Sequence, residues 1–155
     1  MIQRVKPYGV PVTLFDKEEF VENGQVYQKL KEEHTDYIIL AGFLWKIPDF
    51  LIRTFPGRIL NIHPALLPKY CGKGMYGERV HQAVIAAGDT ESGISIHRVD
   101  EMYDHGEIIF QAKCPVLPQD TPETLAARIH QLEYEYYPKI IEKVIISDEE
   151  KQAAF

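Results

Sequence analysis

Gly57-Arg58-Ile59-Leu60-Asn61-Ile62-His63-Pro64 is the stretch on which the reading of this chain turns. The apolar pair Ile59-Leu60 opens a strand, and Pro64 closes it because proline has no N–H to give a sheet ladder. Side chains alternate along a strand, so Asn61 and His63 emerge on one face. That sets an amide and an imidazole together at the carboxyl end of a strand, where open α/β sheets bind their ligands. An amide can steady a developing oxyanion, and an imidazole can move a proton near neutral pH. The pair is a candidate for catalysis on these grounds alone.

Working outward, Tyr37-Ile38-Ile39-Leu40-Ala41 ends at Gly42 and reads as a strand covered on both faces. Residues 47–55 predict a short helix with Pro48 in its first turn. Further upstream, residues 10–15 read as an edge strand, and Asp16 is placed to cap a helix over residues 17–33. Downstream, residues 64–77 are broken by Pro64, Pro68, Gly72, Gly74 and Gly77, the punctuation of a functional loop. Val80, Val84 and Ile85 predict a helix ending at Gly88. Residues 93–99 alternate, with Ile94, Ile96 and Arg98 on one face and Ser95, His97 and Val99 on the other. Residues 107–113 form another strand. Thr121-Pro122-Glu123 starts a long helix carrying Leu125, Ile129, Leu132, Tyr136, Ile140 and Val144, which Pro138 is expected to kink or interrupt. Strand–helix alternation predicts one α/β domain over residues 1–155, its sheet mostly parallel and flanked by helices.

The 155 residues are 45% hydrophobic and 26% charged, ordinary proportions for a globular protein. No apolar run reaches membrane-spanning length, and the first residues lack the apolar core of a signal peptide. Cys71 and Cys114 stand in no metal-like spacing and are read as reduced thiols of a cytoplasmic protein. The formal charge of −6 disfavours nucleic-acid binding, which needs a basic surface. A small acidic enzyme acting on a small molecule is the expectation.

The pair lacks a carboxylate to orient the imidazole or hold it protonated. Asp100 and Asp104, in the turn after the alternating strand, are equal candidates on spacing. His97 is read as a partly buried structural histidine, and Ser95 as a strand residue outside any nucleophile elbow. The remaining histidines share no tight spacing, so no zinc site is expected. Lys69, Tyr70, Lys73 and Tyr76 read as surface-loop residues. Trp45 and Lys46, just past a strand end, are placed to touch a ligand.

In order, Leu40-Ala41-Gly42-Phe43-Leu44, the stretch from Gly57 through Asn61-Ile62-His63-Pro64-Ala65-Leu66-Leu67-Pro68 to Tyr70, Gly93-Ile94-Ser95-Ile96-His97, Asp104-His105-Gly106-Glu107 and Gln131-Leu132-Glu133 before Tyr137-Pro138 resemble the glycinamide ribonucleotide transformylases (phosphoribosylglycinamide formyltransferases). The resemblance covers nearly the whole chain and implies a Rossmann-like formyltransferase fold. It implies transfer of a formyl group from 10-formyltetrahydrofolate, as co-substrate and without a metal, to the amine of glycinamide ribonucleotide in purine biosynthesis. By the same resemblance Asn61 binds the formyl oxygen, His63 is the general acid, and Asp104 rather than Asp100 is its carboxylate partner. Leu44, Trp45, Lys46, Ile47, Asn61, Asp100 and Glu101 would contact the folate, and Pro64 and Glu133 the ribonucleotide. A monomer or homodimer without nucleic-acid or membrane partners is implied.

Two departures stand out. The loop between Tyr70 and His81 is longer than in many relatives. The strand, Gly-Ser-Asn-type loop and helix that open the family domain, and that cradle the ribonucleotide phosphate, do not precede Val10. The resemblance therefore implies an N-terminally truncated family domain with weakened activity. Alternatives are a formyltetrahydrofolate deformylase, a methionyl-tRNA formyltransferase or a non-catalytic remnant. Pro64 and the acidic charge argue against the first two.

Overall fold

The computed structural model describes residues 2–102 and 104–153. The chain divides into two compact units, Met1–Thr35 and Asp36–Phe155. The first holds α1 (Ile2–Val5), a 3-10 turn (Lys6–Tyr8) and α2 (Gln25–Glu32). Residues 10–15 pair with no strand, contrary to expectation. Asp16 does cap, accepting the N–H groups of Glu18 and Glu19 at 2.8 and 3.0 Å, while the Glu19 carboxylate accepts the Asp16 N–H at 2.9 Å. The capped segment is only a turn. Asn23 at φ 62° and Gly24 break the chain, so the helix starts eight residues later than expected, at Gln25 rather than at residue 17.

The second unit carries β1 (Ile38–Leu40), α3 (Asp49–Thr54), β2 (Ile59–His63), α4 (Glu78–Ala86), β3 (Glu91–Arg98), β4 (Ile108–Pro115) and α5 (Pro122–Ala153). Among the described residues the sheet order is β1-β2-β3-β4. The α/β sheet flanked by helices is as expected, but the mostly parallel arrangement is not. Only β1 and β2 run parallel; β2–β3 and β3–β4 are antiparallel. The connection from β3 to β4 is too short for the crossover that parallel strands require. The clean alternation of β3 is likewise the pattern of an antiparallel strand. β1 is not covered on both faces either, since Ile39 is 37% exposed.

Register gives the sheet two unlike faces. Ile62 lies opposite Ile96, Ile94 opposite Ala112, and Ile96 opposite Phe110. These side chains pack on Val80 and Val84 of α4 and on Leu125, Ile129 and Tyr137 of α5. Each fully buried aliphatic side chain contributes about 1.5–3 kcal/mol. The other face carries polar rows: Asn61 beside His97, and His63 beside Ser95, which in turn faces Gln111. β4 bulges where it passes Ile96 and His97, a distortion common beside functional sites.

α5 begins as expected, with Thr121 preceding Pro122 and its Oγ1 accepting the Thr124 N–H at 3.4 Å. Pro138 does not interrupt it: the helix runs unbroken to Ala153. Proline removes the donor for the carbonyl four residues earlier. That residue, Tyr134, is 72% exposed, which leaves water to take the bond. Further along, Asp148 accepts from Arg98 at 3.1 Å and from the Tyr37 hydroxyl at 3.0 Å, tying the helix to β3 and the entry of β1.

Candidate active site

The site lies wholly within residues 36–155, on the polar face at the carboxyl end of β2. His63 is 3% exposed. Its Nε2 donates to the Tyr70 carbonyl at 2.8 Å, and its Nδ1 lies 3.6 Å from Asp104 Oδ1. Both ring nitrogens thus have an oxygen nearby, the nearer one within hydrogen-bonding range. Asp104 sits at φ 53°, a conformation that aspartate tolerates better than most residues, and its Oδ2 accepts the Gly72 N–H at 3.2 Å. Of the two carboxylates left open by spacing, the structure brings Asp104 to the imidazole. Asp100 instead accepts the Met102 N–H at 2.8 Å, as a turn residue does. Tyr103, between them, lies outside the described residues.

Asn61 Nδ2 lies 3.1 Å from His97 Nε2, and His97 Nδ1 donates to the Arg98 carbonyl at 2.9 Å. Burial pushes the His97 imidazole below the ordinary histidine value, while the Arg98 carbonyl and Asp104 pull the other way. His97 Nε2 is 3.7 Å from Asp104 Oδ1, beyond hydrogen-bonding range. Gly106 follows in the same turn, and a Cβ there would collide with the Arg98 carbonyl oxygen.

A cleft opens beside these groups, walled by Phe43, Trp45, Ile47, Val99 and Met102, with Asn61, His97 and Asp104 at its polar end. Lys46 and Asp100 also line it. Of the residues assigned to folate, Trp45, Lys46, Ile47, Asn61 and Asp100 therefore meet on one cleft. Leu44 and Glu101 are exposed and outside its described lining. Pro64 is half-buried at the start of the loop. Glu133 lies on α5, where it accepts from His130 Nδ1 at 2.8 Å. Among the described residues no hydrogen bond or ion pair joins it to the Asn61–His63–Asp104 cluster.

The loop after His63 is held from beneath. The Ser95 hydroxyl donates to the Ala65 carbonyl at 2.7 Å and accepts the Leu67 N–H at 2.9 Å. Gln111 Nε2 donates to Ser95 Oγ at 2.7 Å and to the Leu67 carbonyl at 3.1 Å. Lys69 and the Tyr70 hydroxyl both reach Asp89, at 3.0 and 2.9 Å, and hold its carboxyl below the usual range. Gln111 was not singled out by sequence reasoning, and Ser95 was read only as a strand residue. Their shared signal is alternation: each occupies the face that carries His63.

An amide, an imidazole and a carboxylate gathered beside an aromatic-walled cleft on a mixed α/β sheet define a Rossmann-like protein with a polar, titratable cluster at a strand end. The chain belongs to the formyl transferase family, whose sequence profile matches residues 2–141. It is 45% identical over 144 residues to the chloroplastic phosphoribosylglycinamide formyltransferase of Vigna unguiculata, covering 90% of this chain and 46% of that protein. The phosphoribosylglycinamide formyltransferase of Haemophilus influenzae is 38% identical, over 89% of this chain and 65% of the relative. The crystal structure of the phosphoribosylglycinamide formyltransferase from Bacillus halodurans superposes with a TM-score of 0.83 at 34% identity, covering 93% of this chain and 74% of that one. The chain thus spans about half the length of the plant relative and about two thirds of the bacterial one. Among the described residues no helix is long and apolar enough to cross a membrane.

Proposed function

We propose that this chain transfers the formyl group of 10-formyltetrahydrofolate to the primary amine of glycinamide ribonucleotide, a step of de novo purine synthesis. The observation that carries this reading is the presence of Asn61 and Asp104 on the lining of the Trp45 cleft, with the buried His63 Nδ1 3.6 Å from Asp104. The names of the family relatives point the same way. Aromatic and aliphatic walls suit a flat folate ring, with polar groups at one end to fix its orientation. The bound folate supplies the activated formyl carbon. The ribonucleotide amine attacks that carbon, and the carbonyl electron pair moves onto oxygen. An Asn61 N–H stabilises the charge that develops there, and His63, turning its Nε2–H from the Tyr70 carbonyl, is the second donor. Asp104 balances the imidazolium and receives the proton shed by the attacking amine, through water, for delivery to the folate nitrogen as its bond to the formyl carbon breaks. Much of the remaining acceleration comes from holding the two substrates in contact. A cytoplasmic monomer or homodimer is the accompanying reading.

The test is a coupled assay that follows tetrahydrofolate release with glycinamide ribonucleotide present and absent. The expected result is ribonucleotide-dependent release that Asn61→Ala and His63→Ala each lower by on the order of a hundredfold or more. Release of formate without the ribonucleotide would indicate a deformylase and overturn the assignment. Folate binding without ribonucleotide binding, measured by titration, would overturn it in favour of a remnant.

A further inference from the structure

We propose that His97 is a positioning residue whose unprotonated Nε2, fixed by the hydrogen bond from its Nδ1–H to the Arg98 carbonyl, sets the orientation of the Asn61 amide. The inference rests on the formyl-transfer reading, in which Asn61 must present an N–H and not an oxygen to the reacting carbonyl.

The argument runs through three hydrogen-bonding groups. A backbone carbonyl can only accept, so His97 Nδ1, 2.9 Å from the Arg98 oxygen, carries a hydrogen. In a neutral ring the lone pair then falls on Nε2. The Asn61 group 3.1 Å from that nitrogen must be the NH2, because an amide oxygen there would set two acceptors face to face. With one N–H committed to His97, the second is free for an oxyanion. Cross-strand pairing makes the contact tight: Asn61 and His97 are register partners, and His97 is 1% exposed.

The surroundings keep the ring neutral. From β2 it faces Asn61 and His63, whose positive form opposes a second charge nearby. From the turn after β3 it faces Asp104, at 3.7 Å, and Asp100. On its own strand the Arg98 guanidinium turns away to Gly57, Glu107 and Asp148. Burial outweighs the two carboxylates. Were His97 protonated, Nε2–H would demand an acceptor and the Asn61 amide would rotate. Its oxygen would then occupy the NH2 position, and an N–H would be lost from the site.

Nitrogen NMR of the full chain carrying labelled histidine reads the tautomer directly. At neutral pH His97 is expected to show a protonated Nδ1 and a bare Nε2; a protonated Nε2 overturns the proposal. Kinetics give the second arm. His97→Phe removes the acceptor and is expected to lower kcat on the order of a hundredfold, the scale of losing one preorganised oxyanion donor, with KM for the ribonucleotide unchanged. His97→Gln, whose side-chain oxygen can accept from Asn61, is expected to recover about tenfold of that loss. Equal impairment of the two variants, or an unchanged kcat in His97→Phe, refutes the positioning role. If the unaltered chain transfers no formyl group to the ribonucleotide, the functional reading fails while the NMR result still decides the tautomer.

Discussion

Replacing Ser95 by Ala should cost this protein far more stability than the loss of one oxygen suggests. Ser95 is fully buried, and its hydroxyl serves the Ala65 carbonyl and the Leu67 N–H together. Ala65 and Leu67 are themselves buried, so both backbone groups lose their partner where water has poor access. Leaving a buried donor or acceptor unmade costs about 1–3 kcal/mol, so the pair amounts to about 2–6 kcal/mol. The Gln111 amide adds little, because it keeps the Leu67 carbonyl and belongs to an exposed residue. Urea unfolding of Ser95→Ala beside the unaltered chain measures the difference, with the slope m checked for constancy. A loss below about 1 kcal/mol would mean that the loop relaxes to find other partners, and the claim that Ser95 holds it would fail.

Acid should weaken the fold through two further side chains. His81 and His97 are buried and held below the ordinary histidine value of 6.5, chiefly by burial. The unfolded chain therefore takes up protons first, so stability is lost as pH falls below that value and through the folded-state values. Among the described residues His81 Nδ1 has no hydrogen-bond partner, so His81→Leu should flatten the fall in urea midpoint between about pH 7 and pH 5, and an unchanged slope would refute this. Arg128 grips Asp120 at 2.7 and 3.0 Å and holds its carboxyl well below the usual range. Asp120→Asn should lower Tm at neutral pH, and the gap from the unaltered chain should narrow as pH falls below 3.8 and Asp120 itself protonates. The Tyr137 hydroxyl donates to the Leu40 carbonyl at 2.7 Å, and burial pushes its ionisation far above the ordinary tyrosine value. Tyr137→Phe should cost about 0.5–1.5 kcal/mol in urea unfolding, and should remove a tyrosine that ionises well above the ordinary value from a spectroscopic alkaline titration.

The strands were legible because their signals are local. Apolar runs and alternation located β1 to β4, and Pro64 and Thr121-Pro122 marked where β2 ends and α5 begins. Strand direction was not legible from element alternation, because that pattern does not record how a chain returns. The short 99–107 connection did carry the information, and weighing it would have made β3–β4 a hairpin. The error over residues 10–33 has another source: Asp16 forms a genuine cap, but Asn23 and Gly24 defeat the helix it would start. At the site, the shared strand face of Asn61 and His63 followed from alternation alone. The choice of Asp104 over Asp100 needed either family resemblance or coordinates, since both lie in one turn and only the backbone twist at Asp104 separates them. Ser95 and Gln111 stayed hidden because their partners are backbone groups of a loop, and sequence pattern says nothing about where a loop comes to rest.

Gly106 carries a consequence for sequence variation. No side chain fits there without displacing the Arg98 carbonyl or the turn that bears Asp104. The same carbonyl receives the His97 Nδ1 proton. An alanine at 106 would therefore be felt first as a proton free to change nitrogens in a ring on another element, and then as an amide free to turn. The want of space beside one glycine works as an instruction, in an alphabet of one letter, for where a hydrogen atom resides.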